Sequence, residues 1–89
     1  MPHPENPEEM RHLIAENLAE FAEDAGVSQS DLAREMGYTR HWAQRRLNGV
    51  ASIRLEELPR ILSILGITDP SVLWQPKQVQ TKFRAFDDF

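Results

Sequence analysis

Ser28-Gln-Ser-Asp-Leu-Ala-Arg-Glu-Met-Gly37-Tyr-Thr-Arg-His-Trp-Ala-Gln-Arg-Arg-Leu-Asn-Gly49 is the stretch that decides the fold. Ser28 is a cap residue with Asp31 three positions on, and Leu32, Ala33 and Met36 form a short apolar face that Gly37 closes. Thr39 caps a second helix over Arg40 to Asn48, and Gly49 ends it. The spacing predicts an eight-residue helix, a turn on Gly37 and a nine-residue helix. Helices this short, joined by so tight a turn, cross steeply and cannot run antiparallel. Ala33 is small where they must approach, and Leu32, Met36, Ala43 and Leu47 are expected to point inward. At about 100° per residue, His41, Gln44, Arg45 and Asn48 lie opposite Ala43 and Leu47. Those four side chains carry donors and acceptors suited to base edges and phosphates.

The rest of the chain also reads as helices separated by glycines. Asn6 is an N-cap, Pro7 suits the first helical position, and Glu9 stands where a capping box would have it. Met10, Ile14, Leu18, Phe21 and Ala25 then form a helical stripe, with Leu13 and Ala22 beside it, ending at Gly26. A fourth helix carries Leu55, Leu58, Ile61, Leu62 and Leu65 up to Gly66. Pro59 removes a backbone donor early in it, so that helix starts late or kinks there. Asp69-Pro70 opens a last short helix, Ser71 to Trp74, and Pro76 closes it. The expected fold is all-α: a flexible tail over 1–5, a five-helix domain over 6–76, and a C-terminal tail over 77–89. In that tail Val79, Phe83, Phe86 and Phe89 fit a helical stripe, while Val79, Thr81, Phe83 and Ala85 fit an alternating strand. It could pack on the domain, contact a second copy in a dimer, or fray.

Composition bounds the function. Eighty-nine residues, 40% hydrophobic and 27% charged, make one globular domain. The absence of cysteine excludes disulfides, thiolate zinc sites and thiol catalysis. No apolar run is long enough to cross a membrane, and Met1 to Glu5 has neither the basic region nor the apolar core of a signal peptide, so the expected compartment is the cytoplasm. The formal charge is −4 but unevenly spread. Over 1–24, seven acids (Glu5, Glu8, Glu9, Glu16, Glu20, Glu23, Asp24) stand against Arg11, a balance of −6. Over 25–54, five arginines (Arg34, Arg40, Arg45, Arg46, Arg54) stand against Asp31 and Glu35, a balance of +3. A local basic field in an acidic chain can still grip phosphates, although a charge run is more often a solvated face. Arg40 and His41 add a clue, because they sit in the first turn of their helix, where the macrodipole disfavours positive charge unless an anion comes to meet it.

Taken together, Gly26-Val27-Ser28-Gln29, Leu32-Ala33, Met36-Gly37, Asn48-Gly49 and Leu65-Gly66-Ile67 resemble the Cro/phage-repressor type of helix-turn-helix, the Xre family, over about residues 10–74. The resemblance implies a sequence-specific transcriptional regulator, a phage or bacterial repressor whose third helix reads the major groove of double-stranded DNA. It implies a homodimer on a two-fold operator, with half-sites about one helical turn apart. Arg40, His41 and Arg45 would be base-reading positions, with Gln44 a fourth. The expected phosphate contacts are Gln29, Thr39, Arg46 and Asn48. Two residues depart from the family pattern. Arg46 stands where many relatives have an aliphatic core residue; it either reaches a phosphate or pairs with an acid. Trp42 is large for its place; it either joins the core or stacks on the DNA sugar edge.

His3, His12 and His41 match no metal-ligand spacing, and no catalytic triad, carboxylate pair or phosphate-binding glycine loop is present. Neither an enzyme, a metal nor a cofactor is expected. Two other uses of the fold compete: an antitoxin-like or adaptor protein holding a protein partner, favoured by the tail ending Asp87-Asp88-Phe89, and an architectural or excision factor that bends DNA.

Overall fold

The computed structural model describes residues 6–76. Both tails, with His3 and the series Val79, Phe83, Phe86 and Phe89, lie outside the described residues. Four α-helices follow in order: α1 (Pro7–Asp24), α2 (Gln29–Met36), α3 (Arg40–Leu47) and α4 (Leu58–Leu65). Short 3-10 segments stand at Leu55–Glu57 and Pro70–Trp74, and among the described residues there is no strand.

The expected count of five helices is therefore corrected to four. The predicted last helix is a five-residue 3-10 segment, opened by Asp69, whose carboxylate accepts the Ser71 N–H at 3.0 Å. The fourth helix does start late. Leu55–Glu57 is a 3-10 turn, and regular α-helix begins at Leu58, with Pro59 in its first turn. There the missing N–H has no intrahelical partner to lose.

Local chemistry sets the other boundaries. Asn6 Oδ1 accepts the Glu8 N–H at 2.8 Å and starts α1. Ser28 Oγ accepts the Asp31 N–H while Asp31 Oδ2 accepts the Ser28 N–H, both at 3.1 Å, a complete capping box on α2. Gly37 ends α2 at φ +77°, a left-handed conformation that a side chain would strain. Just beyond it the Tyr38 N–H returns to the Ala33 carbonyl at 2.9 Å. Thr39 Oγ1 then accepts the Trp42 N–H at 3.2 Å and starts α3.

Packing fixes these elements in space. Leu18, Ala22, Ile61, Leu65 and Leu73 form one buried cluster; Leu32, Ala33 and Ala43 form another between α2 and α3. Val27, Met36, Trp42, Leu47 and Ile64 pack against both and join them into one core. Leu18, Leu32, Ile61 and Leu73 are almost entirely shielded, and full burial of such a side chain is worth about 1.5–3 kcal/mol. Ala33 and Ala43, both buried, let α2 and α3 approach closely.

Three polar fasteners hold the periphery. Asn17 is completely buried on α1, and its Nδ2 donates to the carbonyls of Leu73 (2.8 Å) and Gln75 (2.9 Å), latching the chain's last described turn to the first helix. Arg11 Nε donates to the Gly49 carbonyl at 2.8 Å, tying α1 to the turn after α3. The Arg60 guanidinium donates twice to the Glu35 carbonyl at 3.1 Å, so α4 caps the end of α2.

Candidate nucleic-acid interface

The turn from Gly37 to Thr39 makes α3 stand across α2 with one face on the core and the other in water. Ala43 is fully buried, and Trp42, Arg46 and Leu47 are half-buried on the same side. Arg40, His41, Gln44, Arg45 and Asn48 are all exposed. The predicted base-reading residues thus share one solvent-facing surface on α3. Eight residues make a helix about 12 Å long, and with side chains it is about 10–12 Å across. A major groove about 12 Å wide accepts such a helix.

Partners distinguish the cations on this domain. Arg34 is bound to Asp31 at 2.7 Å, and Arg11 and Arg60 are engaged with carbonyls of the fold. Arg40, His41, Gln44 and Arg45 make no side-chain hydrogen bond or ion pair among the described residues. Their donors are left to solvent or to an outside ligand. Arg40 and His41 also occupy the first turn of α3, which carries no acid, so the helix end there is doubly attractive to an anion.

Of the expected phosphate residues, Gln29 opens α2 and Asn48 closes α3. Both border a groove of about 440 Å³ between the α1–α2 turn and the end of α3, which Gly26 and Ser28 also line. Glu23 borders the same groove. Thr39 is exposed, and because its Oγ1 accepts from the backbone, its hydroxyl proton is free to donate outward. The Asp31 carboxyl beside Gln29 is held below the usual carboxylate range, chiefly by the Ser28 backbone N–H, then by the Ser28 hydroxyl and Arg34.

Arg46 is placed differently from the rest of the set. Its side chain is only 14% exposed, with Nε 4.0 Å from Glu57 Oε1, and Glu57 is itself 7% exposed. The guanidinium carbon lies 4.9 Å from the centre of the Trp42 ring, within cation–π range. Of its two readings, phosphate or acid, the described residues place an acid, Glu57, within reach. Trp42 likewise turns to the core, and Tyr38 packs on it with ring centres 4.8 Å apart. Tyr38, Trp42 and Arg46 thus form a stack that ends on Glu57.

The sequence reading missed Asn17, Arg11 and Arg60, whose acceptors are backbone carbonyls that leave no residue-type signal. Among the described residues, no cluster of three or more His, Asp or Glu could hold a metal ion, and no helix is long and apolar enough to cross a membrane.

Comparison with known proteins agrees with this geometry. Residues 13–73 match the family described as helix-turn-helix domain. The crystal structure of NHTF, a hypothetical transcription factor from Neisseria, superposes with a TM-score of 0.71 at 26% identity, covering 93% of this chain and 95% of that one. ClgR, the clp gene regulator from C. glutamicum, superposes with a TM-score of 0.66 at 24% identity, covering 81% of this chain and 87% of that one. That second likeness is one of fold alone. No curated protein matches the sequence significantly.

Proposed function

Because the chain belongs to the helix-turn-helix domain family, we propose that it is a DNA-binding transcription regulator whose α3 enters the major groove. The observation that carries this reading is the exposed, unpartnered face of Arg40, His41, Gln44 and Arg45 on a helix anchored from behind by Ala43. Arg40 and Arg45 suit bidentate contact with guanine, and Gln44 suits adenine. Gln29, Thr39 and Asn48 hold the backbone on either side and set the register. Arg46 is left out of the phosphate set, since Glu57 already engages it. The likeness to NHTF, a hypothetical transcription factor, supports the same class.

The finer reading is a bacterial or phage repressor in the cytoplasm. It binds a two-fold operator as a homodimer with half-sites about one turn of DNA apart. The acidic α1, with Glu8, Glu9 and Glu16 exposed, repels phosphate and disfavours docking by the wrong face.

Selection of sites from random duplex DNA tests this, first with wild type and then with two variants. Arg45→Ala should lose about 1–3 kcal/mol and relax preference at one symmetric position of the motif. Gln29→Ala should weaken binding to all sequences about equally. A wild type that enriches no motif, or two variants that bind as wild type does, would overturn the assignment.

A further inference from the structure

Away from α3, the 3-10 turn at Leu55–Glu57 leaves a pocket of about 130 Å³ against α1 and the C-terminal turn. Its walls are Ile14, Ile53, Leu55, Leu58 and Trp74, with Arg54 at the edge. This volume is close to the roughly 150 Å³ apolar cavity known to hold a benzene ring. Leu55 is 81% exposed, the most exposed large hydrophobic residue described. An apolar wall that open to water needs a cover.

The sequence supplies one nearby. Thirteen residues follow Pro76, and three are phenylalanines: Phe83, Phe86 and Phe89. Phe86 is the tenth residue after Pro76, and such a segment can extend about 33–36 Å. That is ample to return to a pocket whose wall includes Trp74. Charge chooses among the rings. Phe83 is flanked by Lys82 and Arg84, which would bring cations against Arg54. Phe86 is flanked by the small Ala85 and by Asp87-Asp88, a pair that also precedes Phe89, and of these two rings Phe86 is the nearer to Pro76 along the chain. The Arg54 guanidinium has no hydrogen bond or ion pair among the described residues.

We propose that Phe86 of the same chain occupies this pocket, with Asp87-Asp88 against Arg54. A short tether gives an effective concentration near millimolar, above the concentration of free protein in most cells, so the segment of the same chain outcompetes that of a second copy. The aromatic segment then covers its own domain and is not the dimer contact. The docking is independent of DNA binding.

The test is NMR on the full chain. Phe86 ring protons should show NOEs to the Leu55 methyls. These should be absent from an isotope-filtered experiment on mixed labelled and unlabelled protein. Phe86→Ala should shift the indole N–H resonance of Trp74 and leave that of Trp42 in place, while Phe83→Ala moves neither. Arg54→Ala should weaken the Phe86 NOEs. The tail substitutions change no described core residue, so the domain stays folded. An unmoved Trp74 in Phe86→Ala, or NOEs from Phe83 in place of Phe86, would overturn the proposal. NOEs that survive the isotope filter would overturn it too, and would return the tail to the dimer interface.

Discussion

Half-buried Arg46 meets buried Glu57 beneath the outer face of α3, and removing them singly or together should give opposite results. Their closest atoms are 4.0 Å apart. Two unit charges at that distance attract by about 4 kcal/mol at an effective dielectric constant of 20. Taking each ion out of water costs several kcal/mol. Arg46 Nε finds no hydrogen-bond acceptor to help offset this, so the pair as a whole adds close to nothing. A stranded partner is another matter. Glu57→Gln keeps an oxygen for the Arg54 N–H, which the carboxylate accepts at 3.2 Å, but leaves a guanidinium that cannot shed its charge. Breaking a buried pair this way costs about 3–5 kcal/mol, and the retained Trp42 ring face puts the expected loss at the low end, about 3 kcal/mol. Arg46→Met instead strands the carboxylate and should also destabilise the domain. The double variant strands nothing and should lie within about 1 kcal/mol of wild type. A domain of this size shifts its Tm by about 4–8 °C per kcal/mol, so Glu57→Gln should melt roughly 12–24 °C early and the double variant should recover nearly all of it. Circular dichroism melts and urea titrations read this directly. Additive losses, with the double variant falling as far as the two singles together, would refute the pairing. DNA binding by the double variant gives a second reading. If Arg46 stays with Glu57, the salt dependence of binding is unchanged; a slope lower by about one means that the side chain was on a phosphate.

Two other substitutions probe the frame that holds α3. Asn17→Ala deprives the Leu73 and Gln75 carbonyls of their donor, at about 1–3 kcal/mol for each buried group left unpaired. Urea denaturation should show a loss of about 2–4 kcal/mol in all, with hydrogen exchange rising first over 70–76; an unchanged midpoint would remove the latch. Asp31 has a folded-state pKa below its unfolded value, owing first to the Ser28 backbone N–H. The stability it adds is complete above the unfolded-chain value and is lost as the pH falls through the lower folded-state value. Wild type should therefore exceed Asp31→Asn at neutral pH and converge with it in acid, and a gap that stays constant over that range would contradict the capping role.

What the sequence disclosed was local, and what it hid was distant. Ser28 with Asp31, Thr39 before α3, and the glycines after α2 and α4 act within one turn of helix, so residue type and spacing were enough to place them. The alternation of buried and exposed positions on α3 was equally readable, because 3.6-residue periodicity needs no knowledge of the partner. The last helix was misjudged because Pro70 to Trp74 is too short to sustain an α-helical ladder and rests on α1 through the Asn17 latch, 56 residues away from Leu73.

The arginines make the same point most sharply. Arg34, Arg40, Arg45, Arg46 and Arg54 read alike as one basic run, and the fold sorts them by partner. Asp31, three residues away in sequence, takes Arg34. Glu57, eleven residues away, takes Arg46, and only the path of the chain through Val50 to Arg54 brings it there. Arg54 borders the apolar pocket. That leaves Arg40 and Arg45 on the outer face of α3 without an acid. The basic balance of the segment overstates the positive charge that α3 can offer to DNA. On the proposed function the reading face rests on two arginines and their geometry, so substitution of Arg45 alone should be felt at one base pair of the operator and not spread over the whole site.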